Sequence, residues 1–182
     1  MNETRRQIGV IRQMIEVLNK LKYLVGLQEK DFEAFKRDMR QRESGNNYQA
    51  ANTLGYLGAY QFGMARLSDF GLCVRGDDSS FYWVSPYSKE YFLDSKTLQD
   101  SIFLKHCKDL KEKIIKKYEF HFNKNWAGVR ITLSGLIAGA HLGGMGGLDR
   151  FFSSWGPGPK DAYGTSVRDY ISLFSGYDLL KV

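Results

Sequence analysis

Arg42-Glu43-Ser44-Gly45 and, a little further on, Gly58-Ala59-Tyr60-Gln61-Phe62-Gly63 are the stretches on which the fold turns. Ahead of the first, Phe32, Phe35 and Met39 recur at helical spacing and predict a helix from about Glu29 to Glu43. Ser44-Gly45-Asn46-Asn47 then breaks it. From Tyr48 to Phe62, aromatic and small residues alternate around Gly55 and Gly58, the texture of short strands or a tight hairpin. A helix thus delivers Glu43 at its last turn, and a glycine-rich aromatic segment follows at once. The C-terminal end of a helix carries partial negative charge. Aromatic walls from Tyr56, Tyr60 and Phe62 would add desolvation. Both favour the protonated carboxyl group that a general acid needs.

Helical patterning dominates on either side of this segment. Thr4 with Gln7 makes a capping box ahead of Ile8, Ile11, Ile15 and Leu18, so a first amphipathic helix is expected to end near Gly26. Beyond the hairpin come a short helix from Met64 to about Phe70 and a polar, aromatic-rich loop from Gly71 to Pro86. A further short helix, capped by Ser88, runs through Phe92. Asp94 or Ser95 caps a long helix to about Tyr118, with Leu98, Ile102, His106, Leu110 and Ile114 on its inner side. Thr132–Leu142 is apolar all round, the mark of a helix buried on every side, and Gly143-Gly144 ends it. Helices near Gly147–Phe152 and, capped by Thr165, from Ser166 to Phe174 complete the pattern. The fold class is mainly α (α+β). One domain over 1–182 is expected, with a small β-hairpin insertion beside a cleft and the helix of residues 1–28 packing on it.

A net charge of +6 and 14% aromatic residues suggest a polyanionic partner and flat surfaces for stacking on sugars or bases. The densest basic stretch, Lys105 to Lys124, also reads as the wet face of the long helix. Cys73 and Cys107 are the only cysteines. They form no C-x-x-C and no cluster with histidine, which argues against structural zinc, and no metal or cofactor is expected. The longest apolar run, around Leu133–Leu142, is too short to span a bilayer, so no membrane insertion is expected. No recognition-helix signature or basic-aromatic interleaving supports nucleic acid as a partner.

The two quoted motifs resemble the lysozyme-like superfamily, in particular lytic transglycosylases and goose-type lysozymes. In that family a helix ends in Glu-Ser and a Gly-Leu-Met-Gln-like segment follows, which stands here as Gly58-Ala59-Tyr60-Gln61. Further on the family has an Ala-Tyr-Asn-Ala-Gly-like helix end. Ala140-His141-Leu142-Gly143-Gly144 takes that place in order, with His141 and Leu142 for the Tyr-Asn pair. The resemblance covers about Phe32 to Phe152. It implies a lysozyme-like fold and cleavage of peptidoglycan between N-acetylmuramic acid and N-acetylglucosamine, with Glu43 as general acid. Tyr60 and Gln61 would line the cleft, Gln61 hydrogen-bonding the sugar, or else be fixed by packing of the hairpin. Ser44 would orient Glu43 or cap a turn. His141 is either a satisfied core histidine or a cleft residue.

A two-carboxylate glycosidase needs a second Asp or Glu flanking the bond. Asp149, Asp161 and Asp169 are candidates, none in a recognisable setting, and Asp169 reads as support for the first turn of the last helix. Both a muramidase and a lytic transglycosylase stay open, as does a non-catalytic module that binds glycan or protein on the same fold. The sequence MNETRRQIGVIRQMIEVLNK lacks the continuous apolar stretch of a secretory signal. Action in the periplasm or at the cell wall is therefore expected by phage release, through a secretion machine, or after a signal has been trimmed. An exported effector would bring an immunity protein as a second partner beside peptidoglycan. On this reading, affinity for purified walls falls as salt rises from roughly 50 to 300 mM, where the Debye length drops below about 10 Å. The rate at saturating substrate stays nearly constant across that range. A flat affinity would mean that the basic charge is only a solvated face.

Overall fold

A computed structural model describes residues 7, 11, 13–18, 32–161 and 164–179. The chain divides into two compact units, residues 1–30 and 31–182. In the first, the described residues are helical; the expected capping box at Thr4 and the helix end near Gly26 lie outside them. The second unit is mainly helical with two small antiparallel sheets.

The first helix of this second unit, α1 (Phe32–Ser44), buries Phe35 and Met39 one turn apart, as their spacing requires. It stops because Gly45 (φ 65°) and Asn46 (φ 64°) turn left-handed. Their N–H groups donate back to the carbonyls of Gln41 and Arg40, satisfying acceptors that a helix end leaves open. The expected strands over 48–62 are reduced to single bridges, Ala51 to Leu57 and Leu57 to Phe62, within a run of turns. Gly58 (φ 75°) sits so close to the Gln99 amide that a Cβ there would lie 2.3 Å from its oxygen. Gln99 is fully buried. It accepts from Ala59 N–H at 2.8 Å and donates to the carbonyls of Phe92 and Tyr48.

After α2 (Met64–Asp69), the span expected to be a loop contains a hairpin. Its strands β1 (Cys73–Arg75) and β2 (Phe81–Trp83) pair with Val74 opposite Tyr82. Three-residue strands are too short for their alternation to show in the sequence. Helix α3 (Lys89–Asp94) is capped by Ser88, and α4 (Lys96–Tyr118) by Ser95 rather than Asp94. A 3₁₀ turn and a second hairpin, β3 (Asn125–Trp126) with β4 (Val129–Arg130), lead to α5 (Leu133–Ser154), capped by Thr132. The glycine pair ends the first helical stretch as expected: at Gly144 the backbone leaves helical geometry (φ 67°, ψ 178°), so α5 is two helical stretches joined at a kink, the second covering the helix expected near Gly147–Phe152. The last helix, α6 (Val167–Leu173), is capped by Ser166, not Thr165. Ser166 and Asp169 form a reciprocal capping box, and Asp169 supports the first turn as its place suggests. Cys73 and Cys107 are both free and buried. No described helix is long and apolar enough to cross a membrane.

Helix α6 lies against a stripe of glycines at Gly135, Gly139, Gly143 and Gly147 of α5. A Cβ at Gly135 would stand 2.6 Å from the Ile171 carbonyl oxygen, and one at Gly139 2.9 Å from the Ile171 side chain. Backbones approach this closely only where no side chain intervenes. Gly135→Ala should therefore lower unfolding free energy by about 2 kcal/mol through overpacking. Gly146→Ala, where a Cβ meets only the flexible Arg150 guanidinium at 3.7 Å, should be neutral or stabilising by up to about 1 kcal/mol. Urea unfolding of the two variants gives the comparison, and equal stabilities would remove the close-approach argument.

Candidate functional site

Glu43 occupies the last turn of α1, and its side chain is 13% exposed. The Tyr170 hydroxyl, on α6, donates to Glu43 Oε1 at 2.7 Å. His141 Nε2, on α5, stands 3.9 Å from the same oxygen. Burial first, and then the facing carboxyl group, push the Tyr170 hydroxyl far above its ordinary range, so it is a fixed proton donor at neutral pH. The Arg42 guanidinium covers the Tyr170 ring at 5.7 Å and donates to Thr165 Oγ1. A shallow depression of about 340 Å³ is lined by Arg42, Thr165, Asp169, Tyr170, Ser172 and Leu173. Tyr170 both lines this depression and holds Glu43.

Ser44 fixes the helix end and caps the next turn together. Its hydroxyl donates to the Ala59 carbonyl at 2.9 Å and accepts from Asn47 N–H at 3.0 Å. Tyr60 is placed differently from a cleft wall. Its ring is fully buried, stacked on Phe103 with centroids 3.9 Å apart, and its hydroxyl donates to Asp100. Its link to the site is the backbone carbonyl, which lies 2.9 Å from His141 Nε2. The Gln61 amide is taken up within the loop, accepting from Asn52 Nδ2 and donating to the Gly58 carbonyl, both at 2.9 Å. Of the aromatic residues expected to desolvate Glu43, Phe62 is buried and Tyr56 is 44% exposed. The ring beside the carboxyl group is that of Tyr170.

Behind His141 runs a chain of polar groups that leads through buried His106 to the partly buried Arg66. His141 Nδ1 is 3.0 Å from His106 Nε2, and Arg66 Nε donates to His106 Nδ1 at 2.8 Å. The remaining Arg66 nitrogens pair with Asp69 and Asp109. Phe62 meets both imidazoles edge to face. Burial, and then the neighbouring His141 and Arg66, hold His106 well below its usual range. Burial also lowers His141, outweighing the opposing pull of Glu43 and the Tyr60 carbonyl. Burial works against Asp109, yet Lys113 and Arg66 keep it below the carboxylate range.

The candidate second carboxylates are engaged elsewhere. Asp149 binds Lys117 and Tyr118, Asp161 accepts from Thr165 N–H, and Asp169 closes its capping box. Among the described residues, no group of three or more His, Cys, Asp or Glu is placed to hold a metal. Tyr170, Arg66 and Gln99 carried no local signal in the sequence. His106 was readable as an inward-facing residue, but its partners were not. No protein-family model, curated protein or solved structure matches the chain.

The two histidines make stability depend on pH. In the folded state both resist protonation, whereas in the unfolded chain they take up protons below about pH 6.5. The unfolded state then binds more protons, so stability falls as pH drops through that value, by up to about 1.4 kcal/mol per pH unit for each histidine. The paired aspartates lose their contribution only nearer pH 4. Urea unfolding at pH 7 and pH 5 should show the loss, and His106→Gln should remove the part that His106 contributes and leave that of His141. Equal stability at the two pH values would mean that the pair charges in the folded state.

Proposed function

We propose that the chain cleaves peptidoglycan glycan strands between N-acetylmuramic acid and N-acetylglucosamine on a lysozyme-like fold, with Glu43 as the acid. The observation that carries this reading is the hold on Glu43. Its carboxyl group sits at a helix end, largely withdrawn from water, and among the described residues both of its contacts fall on Oε1. Because Tyr170 donates to that oxygen, the proton of the acid form belongs on Oε2, the oxygen left for a glycosidic bond. Transfer of that proton to the bridging oxygen, as the bond to the sugar anomeric carbon breaks, is general acid catalysis. Ser44 keeps the helix end in place for it.

With Asp149, Asp161 and Asp169 engaged elsewhere, the reading is a one-carboxylate reaction. In the transglycosylase form, the N-acetyl group of the substrate takes the part of nucleophile. Its 6-hydroxyl then closes the ring and returns a proton to Glu43. In the hydrolase form, water replaces that hydroxyl. The missing Tyr-Asn pair at His141-Leu142 favours the hydrolase. Peptidoglycan is then the partner, with an immunity protein added if the chain is an exported effector. The site of action is the periplasm or the cell wall.

A second reading rests on the same hydrogen bond. A carboxyl group held by Tyr170 also suits a structural tie between α1 and α6 in a non-catalytic module that binds glycan or protein. Glu43→Gln separates the two, because a glutamine oxygen still accepts from Tyr170. The thermal midpoint should move by no more than a few degrees while wall cleavage on zymograms is lost. Mass spectrometry of the released muropeptides then assigns the reaction: anhydro-muramic ends for transglycosylation, reducing ends for hydrolysis. Cleaved peptide stems with intact glycan would refute both forms. Wall binding without any release would favour the non-catalytic module.

A further inference from the structure

The polar chain behind Glu43 has a direction. A guanidinium only donates hydrogen bonds, so His106 Nδ1, 2.8 Å from Arg66 Nε, must be an acceptor without a proton. Neutral His106 then carries its proton on Nε2 and donates to His141 Nδ1 at 3.0 Å. His141 in turn carries its proton on Nε2 and donates to the Tyr60 carbonyl at 2.9 Å. A carbonyl only accepts, so the far end of the chain demands the same arrangement independently. A proton added at either ring breaks the chain. On His106 Nδ1 it would face the Arg66 N–H. On His141 Nδ1 it would force His106 to accept at Nε2, which again puts a proton on Nδ1 against Arg66. Arg66 from α2 and Lys113 on α4 disfavour a cation at His106, and Arg66 does so at His141 as well. Glu43 from α1 acts in the opposite sense at His141, where burial outweighs it.

We propose that Arg66, acting through His106, fixes His141 as a neutral Nε2–H donor and so makes it a positioning residue for Glu43. The inference rests on the glycosidase reading. At 3.9 Å, His141 Nε2 is too far for a hydrogen bond to Glu43 Oε1, and its N–H is given to the Tyr60 carbonyl; the protonated edge of the neutral ring nonetheless stands beside an oxygen that shares the negative charge once Oε2 has given up its proton. The ring lends this support without being able to take the proton itself. In the opposite tautomer, a lone pair would face both the Tyr60 carbonyl and the carboxylate, repelling both. His141 is thus neither the missing base nor a charged partner of Glu43.

The first test reads the tautomer alone. Long-range proton–nitrogen NMR correlations of the imidazoles should show His106 and His141 as neutral Nε2–H forms between pH 5 and 8, with His121 as internal contrast. A cationic form, or an Nδ1–H form, at either residue overturns the proposal, whatever the enzyme does on walls. The second test compares His106→Gln with His106→Met. The glutamine oxygen can accept from Arg66 while its nitrogen donates to His141, whereas methionine does neither. On solubilised glycan strands, His106→Met should lower kcat about tenfold with KM unchanged. His106→Gln should restore most of that loss, and the Nε2–H signal of His141 should follow the same order. Equal kcat in the two variants, or a change confined to KM, overturns the positioning role. If His106→Met does not fold, the wild-type spectrum and the kcat of His106→Gln still decide. Wild-type protein that never cleaves glycan, with both tautomers as stated, would sink the glycosidase reading and leave the hydrogen-bond assignment standing.

Discussion

The backbone joining Ala59 to Tyr60 is buried, and its polar groups are met by side chains from three separate helices. Gln99 of α4 accepts from Ala59 N–H, Ser44 of α1 donates to the Ala59 carbonyl, and His141 of α5 approaches the Tyr60 carbonyl. The Tyr60 ring completes the attachment by stacking on Phe103 and sending its hydroxyl to Asp100. A segment without regular strands leaves its own peptide groups unpaired, and burying them unpaired is expensive. Here the helices supply the missing partners. The loop therefore cannot shift without breaking bonds to α1, α4 and α5 together, and the end of α1 that carries Glu43 is tied to it.

The same economy governs the histidines. Two imidazoles and a guanidinium are costly to take out of water, and a half-satisfied set would weaken the core. Each ring nitrogen of His106 and His141 has a partner, and Arg66 spends its remaining donors on Asp69 and Asp109. The arrangement is directional because its two ends, a guanidinium and a carbonyl, have fixed roles. A leucine pair of similar volume would fill the space with less desolvation, but it would offer nothing to the Tyr60 carbonyl.

How much of this the sequence disclosed follows from the range of each signal. Helices α1, α4, α5 and α6 were legible because apolar spacing and caps are local; the cap of α6 differs by one residue, Ser166 for Thr165, and Ser95 is one of the two candidates read for α4. The hairpin of β1 and β2 was missed because three-residue strands show no alternation. Glu43 and Ser44 could be singled out from a helix end meeting a glycine-rich turn. Tyr60 and Gln61 were found as important positions, but their side chains face the core and the loop rather than open space, a difference that depends on contacts with Phe103 and Asn52. Tyr170 could not be anticipated, since its link to Glu43 spans most of the chain and leaves no mark nearby.

Tyr170 reaches Glu43 only because α6 lies directly on the backbone of α5. Glycine costs a helix roughly 1 kcal/mol per residue relative to alanine, so four of them on one face weaken α5 taken alone. What they allow is an approach in which Ile171 and Val167 rest where Cβ atoms would otherwise stand, with Tyr170 beside them turned towards α1. A helix end is ordinarily the part of a helix that frays. Here the last turn of α1 is held from the loop by Ser44 and from α6 by Tyr170, with His141 closing the third side. A carboxyl group whose helix turn is tied by Ser44, whose Oε1 is held by Tyr170 and whose Oε2 has no partner among the described residues is placed more narrowly than its own helix could place it, which proton transfer to a single substrate atom demands. In the proposed reaction, the glycine stripe is therefore as much a part of the site as the residues that touch Glu43.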